Sequence, residues 1–180
     1  KISDRQWDMG KLFLYKSGND ADTIIRFARL PMMLLAILFG AVLFYWVRKN
    51  YGDKAGLLTL FLFTMSPTVI AHSRYVTTDV AAAFGFFIAI ISFLHFLKNQ
   101  SRKNVFIAGA LLGVAFLFKF STVILAPIFF VLAALWWVIN RDKIFPLFGK
   151  IIIIGLIALT LVYVVYIFHT WNYPTDLMIT

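Results

Sequence analysis

The sequence predicts an all-α fold, a polytopic bundle of transmembrane helices, and three observations carry this prediction. The 180-residue chain is 62% hydrophobic, whereas soluble domains average roughly 45–50%. Its charged residues gather in short clusters between apolar runs. Most of those runs approach the ~20 residues that a helix needs to cross a bilayer. The bilayer is therefore the solvent for most of the chain.

Six apolar segments are bounded by charged residues and are predicted to span the membrane. They cover residues 30–47, 55–73, 80–97, 105–118, 122–139 and 145–168. The fourth is short for a hydrocarbon core of about 30 Å, so we expect it to pair with the fifth as a tight hairpin. Before the first span, residues 1–29 are predicted to form an outer interfacial loop with a short helix in the headgroup layer, because aromatic and charged side chains are interleaved there. We interpret residues 1–180 as one transmembrane domain, truncated at both ends from a longer protein.

The charge and the residue types exclude several classes of function. The net charge of +9 would suggest nucleic acid in a soluble protein, but here the basic residues lie mostly in loops and flanks, so no nucleic-acid partner is expected. The chain has no Cys, which excludes disulfides, thiolate zinc sites and thiol nucleophiles. Glu is also absent, so eight Asp residues are the only side-chain carboxylates for catalysis or metal binding.

Basic residues occupy alternate connections between the predicted spans, and these connections are predicted to be cytoplasmic. The residues are Arg48, Lys49, Lys54, Lys98, Arg102, Lys103, Arg141, Lys143 and Lys150. The other short turns hold only Arg74 and Lys119 as basic residues. These turns, together with both ends of the chain, are therefore predicted to face the non-cytoplasmic side.

The turn between the second and third spans holds the most reactive set of side chains. His72, Arg74 and Asp79 place an imidazole, a guanidinium and a carboxylate within eight residues. Two interpretations fit Asp79 equally well: a helix N-cap, or a carboxylate that takes part in chemistry. His72 can pack at a helix end or hydrogen-bond to phosphate. For Arg29, which lies just before the first span, bracing of the outer loop is the favoured interpretation, with contact to lipid headgroups as the alternative.

Lys119 lies between two apolar spans, where a lone ammonium is costly unless it reaches the headgroups or meets an anion. Both interpretations fit the sequence. Together with Arg74 and Asp79, it could frame an anionic lipid headgroup beside a carboxylate.

The sequence contains an ordered set of short motifs, at residues 19–22, 28–31, 51–52, 66–67, 71–72, 77–79, Gly109, Gly113, 119–121 and Pro127. This set resembles the dolichyl-phosphate-mannose-dependent protein mannosyltransferases and their bacterial and archaeal relatives, including the aminoarabinose transferases of lipid A. The resemblance covers nearly the whole chain and implies a membrane glycosyltransferase of the GT-C fold.

The resemblance also implies roles for individual residues. Asp79 corresponds to the second of the family's two acidic motifs, and Lys119 to a lysine that contacts the lipid phosphate. The family's first acidic motif, which holds the catalytic base, has no match in this sequence.

The implied reaction transfers a sugar from a polyprenyl-phosphate donor to a protein or lipid acceptor, with inversion, at the outer face of a membrane. Asp79 is the predicted catalytic residue, and Lys119, Arg74 and His72 are predicted to bind the substrate. A divalent metal is the one cofactor that this chemistry could use, although its ligands are unknown. The expected location is a prokaryotic plasma membrane, in contact with its lipids.

Two other classes of function fit parts of the sequence. A transporter or flippase of lipid-linked substrates would need broken helices and polar groups near mid-span. A non-catalytic membrane scaffold would need no polar cluster on one face.

Overall fold

The structure, a computed structural model, describes residues 5–140 and 144–171, and the side chains of 7–140 and 145–171. The described residues form helices and contain no β-strand, which confirms the all-α class. The α-helices are α1 (Arg5–Lys11), α2 (Ala21–Tyr51), α3 (Asp53–Met65), α4 (Pro67–Arg74), α5 (Asp79–Lys98), α6 (Arg102–Phe118), α7 (Leu125–Asn140) and α8 (Ile144–Thr170). A π-helical turn follows α1 at Leu12–Lys16, and a 3-10 turn precedes α7 at Phe120–Ile124. Arg141 and Lys143, which were used for the predicted orientation, lie outside the described residues.

Four helical segments are long and apolar enough to cross a membrane. They are Ala21–Tyr51, Asp79–Lys98, Phe120–Asn140 and Phe145–Thr170. A fifth span exists if α3 and α4, which are bent by 59° at their junction, cross together. The described residues therefore contain four or five candidate spans, fewer than the six predicted. The predicted span at 105–118 lies in α6, whose 17 residues measure about 25 Å and fall short of a ~30 Å hydrocarbon core.

The contacts divide the chain into two compact units, Lys1–Val80 and Ala81–Thr180. In the first unit, α2 and α3 pack as a hairpin joined by Gly52, which adopts φ 91°. Glycine reaches this left-handed region at no steric cost. Its N–H donates to the carbonyl of Arg48 at 2.9 Å, which ends α2 within the turn.

The break between α3 and α4 follows from the pair Ser66 and Pro67. Proline has no N–H to continue the α3 hydrogen-bond ladder, but it is favoured in the first turn of a new helix. The Ser66 hydroxyl accepts a bond from the N–H of Val69 at 3.5 Å and so caps α4. The chain therefore changes direction here and sends α4 away from the axis of α3.

The second unit is built around a buried apolar core shared by α5, α6, α7 and α8. Phe93 of α5 stacks on Phe129 of α7 with 3.9 Å between ring centroids. Gly109 and Gly113 let α6 approach α8 closely, because a Cβ at Gly109 would lie 2.7 Å from the Cβ of Ile157. This is the small-xxx-small arrangement by which membrane helices gain packing contacts without a hydrophobic driving force.

Candidate functional site

The connection between α4 and α5 brings His72 and Asp79 together. His72 Nδ1 lies 3.3 Å from Asp79 Oδ2, and each side chain is a little over 40% exposed. Within the described part of the chain, His72 Nδ1 has no partner that meets hydrogen-bond geometry, so the two side chains approach closely without a directed hydrogen bond. The sequence predicted these two residues for one site, and the structure places them side by side.

Helix ends explain why this sequence holds an acid and bases at one junction. Asp79 stands in the first turn of α5, where the positive end of the helix dipole favours a carboxylate. His72 and Arg74 stand in the last turn of α4, where the negative end favours cations. The turn at residues 75–78 therefore joins the negative end of one helix dipole to the positive end of another. These ends stabilise His72 and Asp79, which lie on either side of the turn.

Thr77 adds a hydroxyl to this turn. Its Oγ1 is buried and has no hydrogen-bond partner among the described residues. A buried hydroxyl without a partner costs stability unless water or a ligand meets it. Thr77 belongs to the motif at residues 77–79, but sequence reasoning gave it no role of its own.

Arg74 lines a pocket of about 540 Å³ together with Arg29, which lies in the third turn of α2. Pro67, Ile70, Ala71 and Tyr75 complete the wall. Among the described residues, neither guanidinium pairs with a carboxylate. Two positive charges therefore converge on one cavity, and this pairing favours an anionic ligand.

The convergence of Arg29 and Arg74 was not predicted. The two residues lie 45 positions apart in the sequence, and hydropathy does not reveal that α4 folds back beside α2. The available signal was the position of Arg29 within the motif at residues 28–31, which sequence reasoning interpreted mainly as a brace for the outer loop.

Lys119 belongs to the second unit, at the junction between α6 and the 3-10 turn, and is half-buried. Thr122 stabilises this junction, because its buried hydroxyl lies 2.8 Å from the carbonyl oxygen of Ala115 and 2.7 Å from that of Lys119. The N–H of Thr122 also donates to the Lys119 carbonyl at 3.0 Å. The backbone that carries the Lys119 ammonium is thus fixed by a specific hydrogen-bonded turn. That Lys119 and Asp79 face the same side of the membrane stays a prediction.

The described residues do not by themselves form a metal centre. No group of three or more His, Asp or Glu side chains gathers within residues 5–140 and 144–171. His72 and Asp79 would supply two ligands at most, fewer than the three or four that protein side chains usually give to zinc.

Long apolar helices, together with a polar junction between two of them, define an integral membrane protein that carries a candidate active site. A family model described as dolichyl-phosphate-mannose-protein mannosyltransferase matches residues 21–169, which is most of the chain. The chain belongs to this family, and it is a membrane glycosyltransferase of the mannosyltransferase type. The family implies, in general, a polyprenyl-phosphate sugar donor and a protein acceptor. No curated protein and no solved structure matches the chain.

Proposed function

We propose that this protein transfers a sugar from a polyprenyl-phosphate carrier to a hydroxyl group of a protein or lipid acceptor, at the non-cytoplasmic face of a prokaryotic plasma membrane. The observation that carries the proposal is the contact between His72 and Asp79 in a chain of this family. It places a half-exposed carboxylate beside an imidazole at the start of a membrane helix.

The reaction is a single displacement that inverts the anomeric carbon. The acceptor oxygen forms a bond to that carbon while the bond from the carbon to the phosphate oxygen breaks. The lipid phosphate leaves with the electron pair, and the hydroxyl proton passes to a carboxylate base. The phosphate leaves readily only where its developing negative charge is met by cations.

Arg74 and Lys119 are the proposed cations for this phosphate. Arg74 lines the same pocket as Arg29, so this cavity has two basic residues in its wall. Lys119 lies in a turn held by Thr122, which limits the backbone rearrangement needed for binding. Donors fixed in place before the reaction stabilise a developing charge better than mobile ones do.

Asp79 is the proposed catalytic residue of this chain, and it acts by orienting the acceptor hydroxyl or the catalytic base. His72 Nδ1 lies 3.3 Å from this carboxylate, so His72 is the proposed positioning residue as well as a candidate phosphate ligand. Thr77 precedes Asp79 by two residues, and its hydroxyl has no hydrogen-bond partner among the described residues. It is a further candidate for contact with the acceptor.

The test is sugar transfer from a radiolabelled mannosyl-phosphoryl polyprenol by the full-length protein in nanodiscs. Asp79→Asn should lower kcat by at least about tenfold, because it removes the charge that orients the reaction. Asp53→Asn is the matched control. It removes a carboxylate that pairs with Arg48 in the α2–α3 turn, and it should leave kcat unchanged. Equal activity of wild type and Asp79→Asn would refute the role of Asp79.

A transporter of lipid-linked substrates is the second candidate, because the 59° bend between α3 and α4 is a broken helix of the kind that transport sites use. The polar groups next to this break, however, cluster at the α4–α5 junction rather than along the helices. The same nanodiscs separate the two functions: an enzyme releases the sugar from its lipid, whereas a flippase leaves the labelled lipid intact.

A further inference from the structure

Four basic residues gather at one end of the second unit. Lys98 ends α5, Arg102 and Lys103 begin α6, and Lys150 lies in the second turn of α8. The Lys150 ammonium donates to Oε1 of Gln100 at 3.0 Å, so the start of α8 meets the connection between α5 and α6. We call Lys98, Arg102, Lys103 and Lys150 the basic cluster.

The connection that carries most of the basic cluster is held by polar contacts of its own. The Ser101 hydroxyl caps α6 by accepting a bond from the N–H of Asn104 at 3.3 Å. Asn104 is buried, and its side-chain amide donates to the carbonyl of Asn99 at 2.7 Å. The N–H of Asn99 in turn donates to the carbonyl of His95, in the last turn of α5, at 3.0 Å. The backbone beneath the basic side chains is therefore fixed, which limits the entropy lost when a ligand binds.

No carboxylate among the described residues compensates the charge of the basic cluster. Three of its side chains are exposed and Lys150 is half-buried, and none forms an ion pair within the part of the chain that the structure describes. The second unit contains Asp142 and Asp176, and both lie outside the described residues. Arg102 and Lys103 also stand in the first turn of α6, where the positive end of the helix dipole disfavours cations. Their charges therefore do not stabilise the helix that carries them, and an anion from outside the chain would be favoured beside them.

Helix length places the basic cluster at the depth of lipid headgroups. The segment from Ile151 to Thr170 carries no Lys, Arg or Asp, and as a helix it extends about 30 Å. This length matches the ~30 Å hydrocarbon core of a bilayer. When the segment crosses that core, Lys150 stands at its edge, where the phosphates of the lipids begin. Trp136 and Trp137 lie near the end of α7 that leads into α8, as expected for the aromatic belt of the same leaflet.

We propose that the basic cluster binds the phosphodiester headgroup of an anionic phospholipid on the predicted cytoplasmic side of the membrane. Guanidinium and ammonium groups donate charge-assisted hydrogen bonds to phosphate oxygens, and basic pockets between membrane helices bind anionic headgroups in this way. A headgroup shared by Lys150 and the α5–α6 connection joins α8 to α5 and α6, so the lipid should stabilise the second unit. This inference goes beyond sugar transfer and does not rest on the proposed function.

Lys98→Gln combined with Arg102→Gln tests the proposal by removing two charges from the basic cluster. Lys49→Gln combined with Lys54→Gln is the matched control, because these exposed lysines belong to the first unit and flank another connection on the predicted cytoplasmic side. Lys98→Arg combined with Arg102→Lys keeps both charges. Binding of dioleoyl phosphatidylglycerol to the full-length protein is titrated in detergent by native mass spectrometry, with dioleoyl phosphatidylcholine as the neutral lipid. The melting temperature of each variant is measured with and without each lipid.

The Lys98→Gln/Arg102→Gln variant should bind phosphatidylglycerol about 25-fold more weakly, because each basic residue near an anionic lipid is worth about fivefold in affinity. It should also lose the rise in melting temperature that this lipid gives the wild type. The charge-retaining variant and the Lys49→Gln/Lys54→Gln variant should behave as the wild type does. Equal weakening by the two charge-removing variants would indicate a general attraction between a basic protein and anionic lipid, and would overturn the proposal.

Lys103→Gln removes a single exposed charge from the basic cluster and keeps the proposal testable if the double variant folds poorly. It should weaken binding of phosphatidylglycerol about fivefold. Unchanged affinity of Lys103→Gln would overturn the proposal. Equal stabilisation of the wild type by phosphatidylcholine would also overturn it, because the site would then not recognise the charge of the headgroup.

Discussion

Gly109 controls how closely α6 approaches α8, and its replacement by Ala should weaken that contact. A Cβ at this position would lie 2.7 Å from the Cβ of Ile157 and 2.9 Å from the carbonyl oxygen of Ile154. The second contact is with backbone, which cannot rotate away as a side chain can. The two helices must therefore separate, or α8 must shift, to admit one methyl group.

Gly155 of α8 offers a matched control, because a Cβ added there meets nothing within 4 Å. Both Gly→Ala changes gain the same helix propensity, about 1 kcal/mol in soluble helices. The difference between the two variants is therefore the overpacking penalty, which is about 1–3 kcal/mol. For a chain of this size, that penalty lowers the melting temperature by between about 2 and 12 °C.

The assay is thermal unfolding of the two variants and the wild type, purified in the same detergent. Gly109→Ala should melt below Gly155→Ala by that amount, and Gly155→Ala should melt at or above the wild type. Equal melting temperatures for the two variants would show that the helices can absorb a methyl group at Gly109. The close α6–α8 packing would then not be a source of stability.

Three further predictions follow from single contacts. The effects of His72→Ala and Asp79→Asn on kcat/KM should be non-additive, because the two side chains are in contact. A double-mutant cycle of sugar transfer measures their coupling, and additive losses would show that they act independently. Thr122→Val should destabilise the protein by about 1–3 kcal/mol and raise the KM for the donor, whereas Thr122→Ser retains the hydroxyl donor that lies near both carbonyl oxygens; equal melting temperatures would contradict this. Hydrogen bonds from the side chain and then the backbone of Thr23 lower the pKa of Asp20. The contribution of this cap to stability is therefore present above the unfolded pKa of Asp20 and is lost as the pH falls through its folded pKa. An NMR titration should find that Thr23→Val raises the pKa of Asp20, and an unchanged pKa would be the contrary result.

The helices could be predicted from composition because long apolar runs leave the chain little alternative in lipid. The number of spans could not be predicted in this way. Residues 105–118 are as hydrophobic as a span, but their helix extends only over Arg102–Phe118 and buries Gly109 and Gly113 against α8. Hydropathy measures how apolar a helix is and does not distinguish a lipid contact from a helix contact.

The candidate site was predictable where its residues are close in sequence. His72 and Asp79 flank one short connection, so local reasoning brought them together correctly. Arg29 was missed as a partner of Arg74 because their proximity depends on the α3–α4 break at Ser66, whose angle no sequence pattern specifies. Long-range convergence of this kind depends on tertiary packing.

The central claim is that the α4–α5 turn and the Lys119 turn emerge on the same, non-cytoplasmic side of the membrane. Thiol labelling measures this directly. In this Cys-free chain, Thr78→Cys and Phe120→Cys place probes beside the two turns without removing a site residue, and Lys54→Cys marks the predicted cytoplasmic side. A membrane-impermeant maleimide applied to intact cells should label positions 78 and 120, and should label position 54 only after permeabilisation. Labelling of 78 and 120 from opposite sides would contradict the account.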